Sequence, residues 1–151
     1  MRKTLLALML LLSVSAKSQI VIDQAGDDWR SLADSALMLI KANSPYYYNN
    51  VLQSCDTISF FNANFSSNAG DKDTKGTIFI SANDVKLGIQ NMAAVIVHES
   101  IHLRITQQGI WMWHKDEERL CYTYELNFLH KLEKPEKWLI EHAETQIEKY
   151  R

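Results

Sequence analysis

His98-Glu99-Ser100-Ile101-His102 is the stretch on which the reading of this chain turns. It lies in a run, Asn91 to Thr106, whose spacing and composition suit a helix. Residues four apart share a helix face, so His98 and His102 can direct ring nitrogens at one point. Ala93 to Val97 approach the motif with an almost unbroken apolar run, and Ile101, Leu103 and Ile105 continue it. Such a helix is mostly buried, and two histidines and a glutamate are expensive to bury without partners. A shared metal ion would satisfy all three.

Neutral imidazole is a good zinc ligand, and two of them supply half of a tetrahedral shell. Glu99, beside them, can reach a water activated by the metal without ligating the ion, the role of a general base. A third protein ligand must come from elsewhere. Gln107 to Lys115 reads as a turn holding Gly109 and the bulky Ile110-Trp111-Met112-Trp113, and a second helix is predicted from about Asp116 to Leu132. Glu117, Glu118 and Glu125 on it are the ligand candidates, with His114 an outside one. Glu118 is preferred. It is seven residues from Glu125 and shares its face, so Glu118 can ligate while Glu125 holds a ligand histidine from behind. Glu117 is expected to point about 100° away, toward solvent.

The pattern resembles the gluzincin group of zinc metallopeptidases, in which the paired-histidine helix precedes a helix bearing a glutamate ligand, often as Glu-x-x-Ala. Here Glu118-Arg119-Leu120-Cys121 matches, with cysteine in the alanine place, and Tyr122 follows where a polar residue supporting a histidine is common. The resemblance spans about Thr77 to Leu132. It implies a compact zincin-like α+β domain with a small antiparallel or mixed sheet. It also implies Zn2+ on His98, His102 and Glu118, and hydrolysis of peptide bonds with Glu99 as base. The metzincin pattern fails, because Ile105 and Gln108 stand where its glycine and third histidine belong. A group stabilising the oxyanion is also needed; His114, Tyr46 to Tyr48, Tyr122 and Tyr124 are candidates. The rival expectation is a secreted module that holds zinc without turnover and binds or inhibits a partner through Trp111 and Trp113.

Upstream, Met1 to Ser18 reads as a signal peptide: Arg2 and Lys3, an apolar Leu5 to Leu12, then small residues to Ser18, where cleavage is expected, with Ala16 the alternative. The apolar run is short for a membrane span, and no nearby cysteine can carry a lipid. Export to a periplasmic or extracellular space follows. Residues 19–151, 133 in all, suffice for one domain. Losing Arg2, Lys3 and Lys17 leaves 13 basic against 18 acidic residues, a net charge of −5. With no basic patch, nucleic acid is not an expected partner; a peptide or protein substrate is. The oligomeric state is not legible in the sequence.

Between leader and motif, a helix is predicted over Asp27 to Ala42, capped by Asp27 or Asp28. Ser44-Pro45 ends it, and Tyr46-Tyr47-Tyr48 reads as a partly exposed packing segment. Asp56 to Phe65 is a candidate strand, Ser66 to Gly76 a loop or hairpin connection, and Thr77 to Ser81 the clearest strand. Asn83 or Asp84 is expected to cap the turn into the histidine helix, and the strand before that helix to form the edge along which a peptide lies. A final helix is predicted from Trp138 to Tyr150 after Pro135, with Trp138, Leu139, Ala143 and Ile147 inward and Glu141 and His142 exposed. Cys55 and Cys121 are the only cysteines; an oxidising compartment permits a bridge between them, two buried free thiols are the alternative, and Cys121 is a weaker metal ligand than the better-placed carboxylate.

Overall fold

The structure, a computed structural model, describes residues 19–23, 25–62, 66–70 and 76–151. The leader over Met1 to Ser18, and Phe65 of the candidate strand, lie outside them. The chain is α+β. Three parallel strands, β1 (Val21–Asp23), β2 (Thr57–Phe61) and β4 (Thr77–Ser81), carry an antiparallel β3 (Asn68–Ala69) on one edge, in the order β1-β2-β4-β3. The register sets Ile22, Ile58 and Ile78 in one row and Phe60 beside Ile80, all buried. The sheet is therefore mixed, and β4 is an inner strand. The edge expected of β4 belongs to β3, which covers it.

Among the described residues six helices accompany the sheet: α1 (Asp27–Asn43), α2 (Pro45–Ser54), α3 (Ala82–Lys86), α4 (Ile89–Gln107), α5 (His114–Leu129) and α6 (Lys137–Lys149). The histidine helix α4 is the hub and packs against α1, α2, α3, α5, β3 and β4. This explains its lack of a clear polar face: a helix apolar nearly all round is a buried one. Met92, Ala93, Ala94, Ile96, Val97 and Leu103 join the sheet isoleucines and Ala33, Ala36 and Ile40 of α1 in the main core. At its far end α4 is tied to α2, where Arg104 Nη1 donates to Asn50 Oδ1 (2.7 Å) and Gln107 Nε2 to the Ser54 carbonyl (2.7 Å).

Several local expectations are corrected. Gly26, not Asp27 or Asp28, caps α1; the two aspartates lie in its first turn, where they complement the helix dipole. The tyrosine run is helical. Ser44 caps α2 and Pro45 opens it, so the Ser-Pro pair that ends one helix starts the next. Tyr47 is buried, edge-on to Phe128 at 5.7 Å. The Asp56 to Phe65 strand is shorter, Thr57–Phe61. Ser81, rather than Asn83 or Asp84, caps the turn after β4, its hydroxyl accepting from the Asp84 amide. Gly88 precedes α4 at φ 93°, a conformation that glycine adopts freely. Helix α5 starts at His114, two residues early, because Trp113 serves as its cap position. Cys55 and Cys121 are both buried, with no disulfide joining them, and they belong to separate core clusters. No helix among the described residues is long and apolar enough to cross a membrane.

Ile96 has no exposed surface and belongs to the main core. Ile96→Ala is expected to destabilise the domain by about 2–5 kcal/mol, read as a lower urea midpoint with an unchanged slope.

Candidate metal centre

Helices α4 and α5 bring the predicted residues together. The Nε2 atoms of His98 and His102 face each other at 3.3 Å. Glu118 places one carboxylate oxygen 3.6 Å from His98 Nε2 and the other 3.4 Å from His102 Nε2. The opposite ring nitrogens are already taken: Glu125 Oε2 lies 3.0 Å from His98 Nδ1, and Glu117 Oε1 lies 2.7 Å from His102 Nδ1. A carboxylate on Nδ1 makes that nitrogen the donor and leaves the Nε2 lone pair of a neutral ring pointing inward. Two such lone pairs and a carboxylate then converge on one point.

The spacing fits a small cation. Tetrahedral bonds of about 2.0–2.2 Å separate neighbouring donors by roughly 3.3–3.6 Å, which is the separation seen among these three groups. Glu125 lies behind His98, on its outer ring nitrogen. Glu117 does not point to solvent as expected. It reaches back along α5 and does for His102 what Glu125 does for His98. His114 is largely exposed and 3.8 Å from Glu118, so it touches the rim and not the convergence point.

Cys121 complicates the donor set. Its sulfur and one nitrogen of each histidine lie within 4.8 Å of one another. Burial pushes its thiol well above the ordinary range, and the carboxylates of Glu118, Glu99, Glu117 and Glu125 add to the shift. Glu118 is the readier ligand. Burial alone would raise it, but hydrogen bonds from His102 and His98 hold it well below the usual carboxylate range.

Glu99 lies beside the histidines and is 7 % exposed. Burial raises its pKa to about 7, against the pull of His98 and His102, and an Ala69 backbone hydrogen bond also favours the ionised form. That amide belongs to β3, which is held by Asp84. The Ser67 hydroxyl donates to Asp84 Oδ2 at 2.6 Å and the Ser81 hydroxyl at 2.7 Å, while the Ser81 amide donates to Ser67 Oγ at 2.9 Å. Asn91 Nδ2 of α4 donates to the Asp84 carbonyl at 3.1 Å, joining this knot to the histidine helix.

The convergence point opens on a cleft of about 880 Å³ between β3, α4, α5 and α6. Among the oxyanion candidates, His114 and Tyr122 line it and Tyr46, Tyr47, Tyr48 and Tyr124 do not. Tyr122 packs edge-on to His98, with ring centres 4.4 Å apart. Sequence reasoning missed the α6 wall. His142 is exposed as expected, but the surface it lies on is the cleft, which it lines with Gln146, Lys149 and Tyr150, its ring 6.0 Å from that of Tyr122. Trp138, expected in the core, is 40 % exposed and lines the cleft too, while Leu139 and Ala143 are buried as expected. Helix α6 is held in place by Gln90, which donates to the Lys134 carbonyl and accepts from the Glu136 amide.

Removing Glu117 or Glu125 by alanine substitution is expected to weaken zinc binding by about 10–100-fold each, measured by competition with a coloured chelator. The metal-free chain should also show a particular pH profile. Burial would lower His98, but Glu118 and Glu125 raise its pKa to about 10 from 6.5. Its contribution to stability is therefore complete below pH 6.5 and is lost as pH rises through about 10. Glu99, raised from 4.5 to about 7, loses its contribution between those values as pH rises. Glu118, lowered, contributes above pH 4.5 and loses this as pH falls. Thermal melts in chelator should therefore show stability declining on the alkaline side, with saturating zinc reducing that decline.

No protein-family model and no curated protein matches this sequence, so the arrangement of these side chains is the ground for any functional reading.

Proposed function

We propose that the chain is a small zinc-dependent peptidase with a zincin-like fold of the gluzincin type, His98, His102 and Glu118 holding the metal and Glu99 acting as general base. The observation that carries this is the meeting of two Nε2 atoms and the Glu118 carboxylate at 3.3–3.6 Å, with both outer nitrogens engaged by Glu117 and Glu125. Zinc, when bound, supplies Lewis acidity toward a carbonyl oxygen and toward water. Glu99 takes the proton of the attacking water and returns it to the leaving amine. Its carboxyl, raised to about 7 by burial, is matched to that exchange near neutral pH.

The substrate is a peptide or protein. The sheet ends at β3, whose outer side borders the cleft, and the backbone there can pair with an extended chain. Tyr122 is kept protonated by burial and by the nearby Glu125 and Glu118, so it is a hydrogen-bond donor at the wall. His142 and His114 are the other side chains able to meet a developing oxyanion. The leader read over Met1 to Ser18 supports action after export. A second reading, a zinc-holding module without turnover, draws on Trp111 and Trp113, which are 75 % and 65 % exposed and edge-on to each other at 5.0 Å.

Metal analysis and a peptide-library assay separate the two. Wild type is expected to carry about one zinc per chain and His98→Ala to lose it. Glu99→Gln should keep its zinc and lose about 10²–10⁴-fold in hydrolysis. Full activity in Glu99→Gln would overturn the mechanism, and zinc without hydrolysis in wild type would favour the binding module.

A further inference from the structure

We infer that α6 forms a carboxylate-selecting wall of the cleft, and that Lys149 favours peptides bearing a carboxylate, at the chain end or on an Asp or Glu side chain. This rests on the reading above that the cleft takes a peptide, and it names the class of peptide. The two sides of the cleft differ in what they can still bind. On the β3, α4 and α5 side the carboxylates are already engaged. Glu117 and Glu125 each hold a histidine, Glu118 lies between both rings, and Asp84 accepts from Ser67 and Ser81. Helix α6 and its end bring no carboxylate to the lining. They present Trp138, His142, Gln146, Lys149 and Tyr150, at intervals that share a helix face.

Lys149 is the cation of this wall that has no acid of its own. Lys137 pairs with Glu141 and Arg151 with Glu148, each at 3.0 Å, whereas Lys149 has no carboxylate partner among the described residues. Its Nζ instead rests over the Tyr150 ring, 4.8 Å from the centroid. A cation–π contact holds the ammonium in place without neutralising it. The ammonium offers three donors and no acceptor, so its match is an anion, and in a peptide that anion is a carboxylate. The Gln146 amide, on the same face, can donate to the second oxygen. Aromatic contacts set the distance: Tyr150 stacks on Tyr122 at 6.1 Å, and Tyr122 is 4.4 Å from His98. At about 3.3 Å per residue of extended chain, the carboxylate falls within about five residues of the point over His98. The acids of α5 disfavour the same group on the opposite wall, which confines the preference to α6.

The test is retention of randomised octapeptides on immobilised Glu99→Gln protein supplied with zinc, which binds without turnover, quantified by mass spectrometry. Two matched pairs of pools, otherwise free of acids, differ in a single carboxylate: a free against an amidated C-terminus, and an internal Glu against Gln. In at least one pair the acidic member should be retained roughly two- to five-fold better at low salt, with the gain shrinking as salt rises. The pair that shows it names the source of the carboxylate. Adding Lys149→Gln should abolish the preference. Lys149→Arg should keep it, as should Lys41→Gln, which removes the same charge from α1. Each preference is a ratio within one protein, so a variant's yield does not enter it. Equal retention in both pairs, or a preference that survives Lys149→Gln or is lost equally in Lys41→Gln, would overturn the inference and leave the peptidase reading standing. A preference that follows Lys149, with no hydrolysis of any pool by wild type, would support the inference and overturn the peptidase reading alone. Retention of no pool at all would overturn both.

Discussion

A helix that is buried on nearly every side carries two imidazoles and a carboxylate, and the next helix has to satisfy them. An uncompensated buried charge costs several kcal/mol, a large part of the stability of a domain this size. Helix α5 meets that demand with a ladder of acids. Glu117 and Glu118 stand at one turn and Glu125 two turns further along. Each outer nitrogen meets its own carboxylate, and the inner ones share Glu118. The crossing of α4 and α5 is therefore fixed by polar matching as well as by the apolar contacts of Ile101, Ile105 and Cys121. The same matching fixes the tautomers, and fixed tautomers give the inner nitrogens their common target.

This arrangement couples the site to the fold. In the metal-free chain, protons bring His98 and His102 into line with the acids around them, and both rings are held above their ordinary pKa. A divalent ion bound where the donors converge would replace those protons, and its affinity would then draw on the same contacts as folding stability. The sheet contributes through β3 and the end of β4. Asp84 gathers Ser67, Ser81 and Asn91, and so fixes the distance between the strand edge and the histidine helix. Glu99 lies between the two, with the Ala69 amide on one side and the histidines on the other.

What could be read from the sequence was set by covalent spacing along a single element. The four-residue interval of His98 and His102, the seven-residue interval of Glu118 and Glu125, and the strand Thr77–Ser81 are all of this kind. What could not be read depends on how elements meet. Glu117 lies 100° from Glu118 on a helical wheel, yet a long side chain at a helix crossing can still reach a neighbouring ring. A two-residue strand such as Asn68–Ala69 carries no periodicity, so the true sheet edge was invisible. Ser44-Pro45 stops one helix and starts another with the same two residues, and spacing along the chain expresses only the first of these. His142 has no spacing relation to the motif because α6 approaches from a loop anchored by Gln90.

The placement of α6 also bears on how so short a chain can form a deep cleft. Two crossing helices alone would leave the point where the donors converge facing bulk water, where electrostatic stabilisation of a developing charge is weak. Helix α6 adds a third wall. It packs on α5 and lines the cleft with Trp138, His142, Gln146 and Tyr150. Its apolar side, Leu139 and Ala143, is buried in the main core. One helix therefore both completes the hydrophobic interior and narrows access to the acids and histidines of α4 and α5. The aromatic contacts from His98 to Tyr122, and from Tyr122 to Tyr150 and His142, carry that wall to within one ring of His98. A change in the seating of α6 would be felt at His98 through Tyr122 before it altered the bonds to Glu118 or Glu125.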